Sequence, residues 1–163
     1  MTAGDTKQRM PAEFATANGP MSPLAIMHWM SRRHPVFHLL QMEILQVGEN
    51  ASRLVMPVTP AISNTYGVAQ GGIIFTFADI CFGFTANATT NLKGLTTQAE
   101  IHWTASGLVG DRLIGETTEV WQKGRNGLYD VRVISEKSQE LVAIVHGRVR
   151  FIGGAVVDAD LPE

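Results

Sequence analysis

Ile73-Ile74-Phe75-Thr76-Phe77-Ala78-Asp79-Ile80-Cys81-Phe82-Gly83-Phe84-Thr85-Ala86-Asn87-Ala88-Thr89-Thr90 carries one charge, Asp79, and that charge is flanked by apolar residues on both sides. Drawn as a helix, Ile73, Phe77, Ile80 and Phe84 lie along one side, while Ile74, Ala78, Cys81 and Phe82 lie along others. A surface helix sets an apolar stripe against a polar face; a helix apolar nearly all round has to be buried. The stretch therefore predicts a core helix with Asp79 as its only charge. A carboxylate in such a place needs either a chemical task or a structural partner, in backbone or in a neighbouring protomer.

The sequence on either side supplies strands. Before the helix, Gln41 to Val47 and Ala51 to Pro57 read as a hairpin turned at Gly48-Glu49-Asn50. After it, Leu95 to Trp103, Arg112 to Gln122, the stretch around Tyr129-Val131-Val133, and the stretch Val145-Val149-Phe151 alternate with period two. One face of such a sheet is buried and the other wetter, as in antiparallel sheets. Two strands, one buried helix and four strands predict an α+β domain, a curved antiparallel sheet wrapped around the helix. Ser22-Pro23 opens a short helix through Met30, Pro35 interrupts it, and Val36 to Leu40 resumes as another turn. Residues 1–20 read as a flexible leader, 21–154 as a single domain and 155–163 as an acidic, solvated tail.

Composition excludes several classes. The 163 residues are 45% hydrophobic and 17% charged with a net charge of −2, which gives no footprint for nucleic acid or an anionic membrane. The apolar run from Ile73 is stopped by Asp79 short of a membrane span. A single cysteine precludes an internal disulfide and a cysteine-rich zinc site and suits a reducing cytoplasm. His34 and His38 are separated by Pro35, and His28, His102 and His146 are isolated, so no metal set is expected. Cys81 reads as a small core residue. No phosphate loop or dinucleotide fingerprint is present, and no cofactor is expected.

The loop before the helix, Asn64-Thr65-Tyr66-Gly67-Val68-Ala69-Gln70-Gly71-Gly72, together with Ile73 to Asp79, resembles the phenylacetate-degradation (PaaI-type) thioesterases of the hotdog fold. That family shows Asn, then His-Gly-Gly six residues on, then a catalytic Asp nine after the His; here 70 − 64 = 6 and 79 − 70 = 9. Leu108-Val109-Gly110-Asp111 and Lys123-Gly124-Arg125 with Val131-Arg132-Val133 are similar to its later turns, so the resemblance covers roughly Gln41 to Phe151. The departure is Gln70, standing where the family has His.

The resemblance implies an acyl-CoA thioesterase with Asp79 as the catalytic carboxylate and the Gly71 N–H as oxyanion donor. It also implies a homodimer, often a dimer of dimers, with the site between protomers. The chemistry of the residues is compatible. Orphan N–H groups at a helix start point outward with partial positive charge, and the Gln70 side chain can add a second donor. Asn64 is suited to fixing the loop, to holding water, or simply to forming a turn. Thr96 is the candidate hydroxyl after the helix, Thr97 its neighbour. Lys123, Arg125 and Asn126 could meet the coenzyme's phosphates or form a solvated turn. Two other functions compete: a non-catalytic acyl-CoA binding or sensing protein, and a hotdog dehydratase, which needs a histidine base. The acyl group, medium-chain or aromatic, depends on which of Phe37, Leu40, Phe75, Phe82 and Trp103 line the pocket.

Overall fold

The computed structural model of the chain describes residues 21–157; the expected leader and the acidic residues from Asp158 onward lie outside the described residues. Two short helices come first. Ser22 caps α1 (Pro23–Arg32), its Oγ accepting from the Ala25 N–H at 3.2 Å, with Pro23 in the first turn where its missing N–H costs nothing. His34 does the same for α2 (Pro35–Leu39), its Nδ1 accepting from Phe37 N–H at 3.1 Å. Pro35 thus begins a second helix rather than only breaking the first.

The strands are β1 (Glu43–Val47), β2 (Ala51–Pro57), β3 (Leu92–Trp103), β4 (Arg112–Lys123), β5 (Asn126–Ser135) and β6 (Leu141–Ala155), and one long helix, α3 (Gly71–Thr90), stands between β2 and β3. They form one antiparallel sheet in the order β1-β2-β4-β5-β6-β3. The chain leaves β2, crosses the sheet as α3, and lands at the far edge as β3. This is the hotdog fold.

Glycines on the inner face let α3 lie against strand backbone. A Cβ on Gly115 would fall 2.6 Å from Cys81 Sγ, and one on Gly147 would fall 2.7 Å from the Phe82 ring. At the far end of α3, Phe37 of α2 stacks on Phe84 with ring centroids 5.6 Å apart. Asn91 ends α3 in the left-handed region (φ 51). Its buried side chain accepts from Val157 N–H at 3.1 Å and donates to Val157 O at 3.3 Å. β6 runs through Ala155, and Val157, two residues on, is buried in the core. By length and composition alone α3 is apolar enough to cross a bilayer, but here it is the core helix of the sheet.

Two departures matter for the site. α3 is buried over most of its surface but open along a stripe that runs through Gly72, Thr76, Asp79, Gly83 and Asn87, with Ile73 and Phe75 beside it partly exposed. Beside that stripe runs β3, the edge strand, exposed on both faces over Leu95 to Gln98.

Candidate active site

The open stripe of α3 and the inner side of β3 enclose a groove of about 460 Å³, lined by Phe75, Thr76, Asp79, Thr96, Thr97, Gln98 and Ala99. Asp79 is half-buried at its floor, which corrects the expectation of a fully enclosed carboxylate. Thr96 donates from Oγ1 to Asp79 Oδ1 at 2.8 Å. Thr97 donates instead to the Arg148 carbonyl at 3.3 Å. The register of β3 against β6 slips between Thr96 and Gln98, so Thr97 is an extra residue bulged from the ladder. Bulges re-aim side chains: Thr96 turns to Asp79, Thr97 to the backbone of Arg148, and Gln98, which borders the groove, also lies with Glu100 and His146. Sequence reading named neither Gln98 nor Ala99, the other β3 residue on the groove. Of the aromatic candidates, Phe75 lines the groove, while Phe37, Leu40 and Phe82 belong to the core.

The loop residues lie elsewhere. Asn64 Oδ1 accepts from the N–H groups of Tyr66 (2.9 Å) and Val68 (3.4 Å), closing the loop on itself around Gly67, whose φ is +74. Gln70 is the residue before α3. Its carbonyl accepts from Ile73 and Ile74 N–H, while its side chain is exposed and caps nothing. Among the described residues no acceptor takes the N–H of Gly71 or Gly72, which face outward at the start of the helix. Gly71 and Asp79 are 79 − 71 = 8 residues apart on one helix, about 12 Å at 1.5 Å per residue. One chain therefore does not bring its own N–H donors to its own carboxylate.

Lys123, Arg125 and Asn126 form the tight turn between β4 and β5, with Gly124 at φ +56. Asn126 pairs with Arg150, and Arg150 with Leu95. The turn thus lies level with Thr96, two strands away, or about 10 Å at the usual strand spacing.

Other groups are excluded by their surroundings. Burial, and secondarily the charge of Asp79, pushes the Cys81 thiol up, so it stays protonated inside the core. On the outer face of the sheet His146 pairs with Asp130 at 2.7 Å and His102 with Glu100 at 3.0 Å. No group of histidine, cysteine and acidic residues suited to a metal occurs among the described residues.

Comparison with known proteins bears on the fold and class. Residues 66–142 match the thioesterase superfamily. A protein of Archaeoglobus fulgidus named "Putative esterase" is 28% identical over 121 residues, covering 74% of this chain and 77% of that protein. Among solved structures, the Escherichia coli PaaI protein from the phenylacetic acid degradation operon superposes with a TM-score of 0.78 at 25% identity, covering 82% of this chain and 95% of its own. The Streptococcus mutans protein smu.793, solved bound to acetyl CoA, shares the fold with a TM-score of 0.66 at 24% identity, covering 70% of this chain and 90% of its own. In fold and in this match the chain is similar to the hotdog-fold thioesterases, and the similarity supports a thioester hydrolase by class. Within that class the chain is PaaI-like.

Proposed function

We propose that this thioester hydrolase cleaves acyl-CoA to free acid and coenzyme A in the cytoplasm, with a medium-chain or aromatic acyl group and a site shared across a homodimer, itself half of a dimer of dimers. The observation that carries the reading is the Thr96–Asp79 bond at the floor of the groove. The hydroxyl holds one carboxylate oxygen and leaves the other facing the groove. Asp79 either takes a proton from water, which attacks the thioester carbon, or attacks it directly; the C–S bond breaks and coenzyme A leaves as the thiolate, and in the second case water then hydrolyses the Asp79–acyl anhydride to free acid and the regenerated carboxylate. The developing oxyanion is held by the Gly71 N–H and the Gln70 side chain of the other protomer, because the same chain's Gly71 is too distant. Phe75, in the groove, supports an aromatic or extended apolar acyl group. Lys123, Arg125 and Asn126, level with Thr96, are the candidate contacts for the coenzyme's phosphates.

No histidine lines the groove, which speaks against the dehydratase. The binding protein differs from the enzyme only in turnover. Incubation of the purified chain with phenylacetyl-CoA and straight-chain acyl-CoAs, with free thiol followed by a colorimetric reagent, separates the two. Catalytic release of coenzyme A is the expected result, and saturable binding without release would overturn it.

A further inference from the structure

Trp103, the last residue of β3, lies against the first turn of α3. Its indole Nε1–H donates to the Gly71 carbonyl at 3.3 Å. A Cβ built on Gly71 would meet Nε1, Cε2 and Cζ2 of the same ring at 3.2, 3.3 and 3.5 Å. The ring therefore contacts Gly71 on its α-carbon side and at its carbonyl, and a side chain at position 71 would push the ring back by a few tenths of an ångström. The mount is firm. Trp103 pairs with Ala143 of β6, and Thr104 next to it is held by Val142 and Leu141, its N–H and Oγ1 both donating to their carbonyls.

The bonded carbonyl belongs to the peptide that joins Gly71 to Gly72. A hydrogen bond at a peptide carbonyl polarises the whole unit and sharpens its N–H as a donor. The N–H of that unit is Gly72's, and the preceding unit contributes the N–H of Gly71. Both are without an acceptor among the described residues. A glycine pair has the widest conformational freedom of any dipeptide, and a donor that wanders loses most of its value to a developing oxyanion. On the reading that the start of α3 holds the thioester oxygen, we infer that Trp103 is a positioning residue: its indole N–H fixes the Gly71–Gly72 peptide and so aims the two free N–H groups. Trp103 touches no reacting atom in this role, and its effect falls on the transition state rather than on substrate capture.

The test uses the full chain and three variants, W103F, W103H and G71A, assayed with whichever acyl-CoA the parent turns over. Phe keeps an aromatic ring over Gly71 and removes the donor; His restores a ring N–H. W103F is expected to lower kcat about tenfold, the loss of one aimed hydrogen bond, with KM within a factor of about two and the melting temperature and oligomeric state unchanged. W103H is expected to recover part of that kcat, and G71A, which retains the N–H but displaces the ring, to lower kcat as W103F does. A parent that turns over while W103F keeps parental kcat overturns the positioning role and leaves the hydrolase reading standing. A W103F whose loss follows a fall in melting temperature or a rise in KM, with no recovery in W103H, also overturns it, since the residue would then be packing alone. A parent without turnover on any acyl-CoA overturns the hydrolase reading and this inference with it.

Discussion

Thr96 donates to one oxygen of Asp79 only, and that asymmetry sets the expectations for substitution. Asp79→Asn keeps an oxygen for Thr96 but removes the charge, so the site should hold its shape and lose its base. A fall in turnover on the order of 10² or more is expected, with unchanged thermal melting; a variant near the parental rate would remove Asp79 from the mechanism. Gln70 is the position where the chain departs from its relatives' pattern. Gln70→Ala is expected to lower kcat by about 10²–10³ with little change in affinity, the usual effect of losing an oxyanion donor, whereas Gln70→His should retain or raise the rate. Steady-state kinetics decide this, and an alanine variant at full speed would leave Gly71 to act with other donors. Asp79 stood out in the sequence as a lone acid on an apolar helix, while Thr96 was pointed to by the family resemblance. The bulge at Thr97 was not legible, because it exists only as a register slip against β6, and strand register is a property of two segments together.

At the scale of elements, α3 is held by the strands that give up their side chains to it. Gly147 is one such place, facing a rigid ring. A methyl group there would press on the Phe82 ring from 2.7 Å, and Phe82 is fully buried with nowhere to move. Gly147→Ala is expected to destabilise the fold by about 1–3 kcal/mol, the range for overpacked cores, read as a lower denaturation midpoint with an unchanged slope. A neutral result would mean that α3 shifts easily in its bed. The helix was legible from its periodicity, and its start at the Gly71-Gly72 pair agrees with the reading of those glycines as its opening turn. Beyond Gly153 and Gly154, both at positive φ, Asn91, far away in sequence, holds Val157 in the core.

At the scale of the molecule, the sheet ends on one side in β3, a strand of 12 residues with an open edge. Leu95 and Trp103 on it are 59% and 52% exposed. Long unpaired edges with apolar side chains invite a partner, and a second copy placed there is the simplest way to bring Gly71 of one chain to Asp79 of another. Light scattering at micromolar concentration is expected to report at least twice the chain mass of 17.7 kDa. An active species of the chain mass would refute a shared site. The fold was legible at this scale from the order of elements alone, while the open stripe on α3 was not, because apart from Asp79 its residues are small or uncharged.

Cys81 gives the protein an internal clock. Its thiol is wholly enclosed and kept protonated, and it is the only cysteine in the chain, so a thiol reagent finds nothing to modify until the helix is released from its bed. In a hydrolysis assay read by such a reagent the native protein should contribute no background, and every thiol counted belongs to coenzyme A. Left without substrate, the same mixture should label at the rate of the openings that expose the core. Mass spectrometry of the time course would then read kinetic stability directly from the residue two places beyond the catalytic candidate.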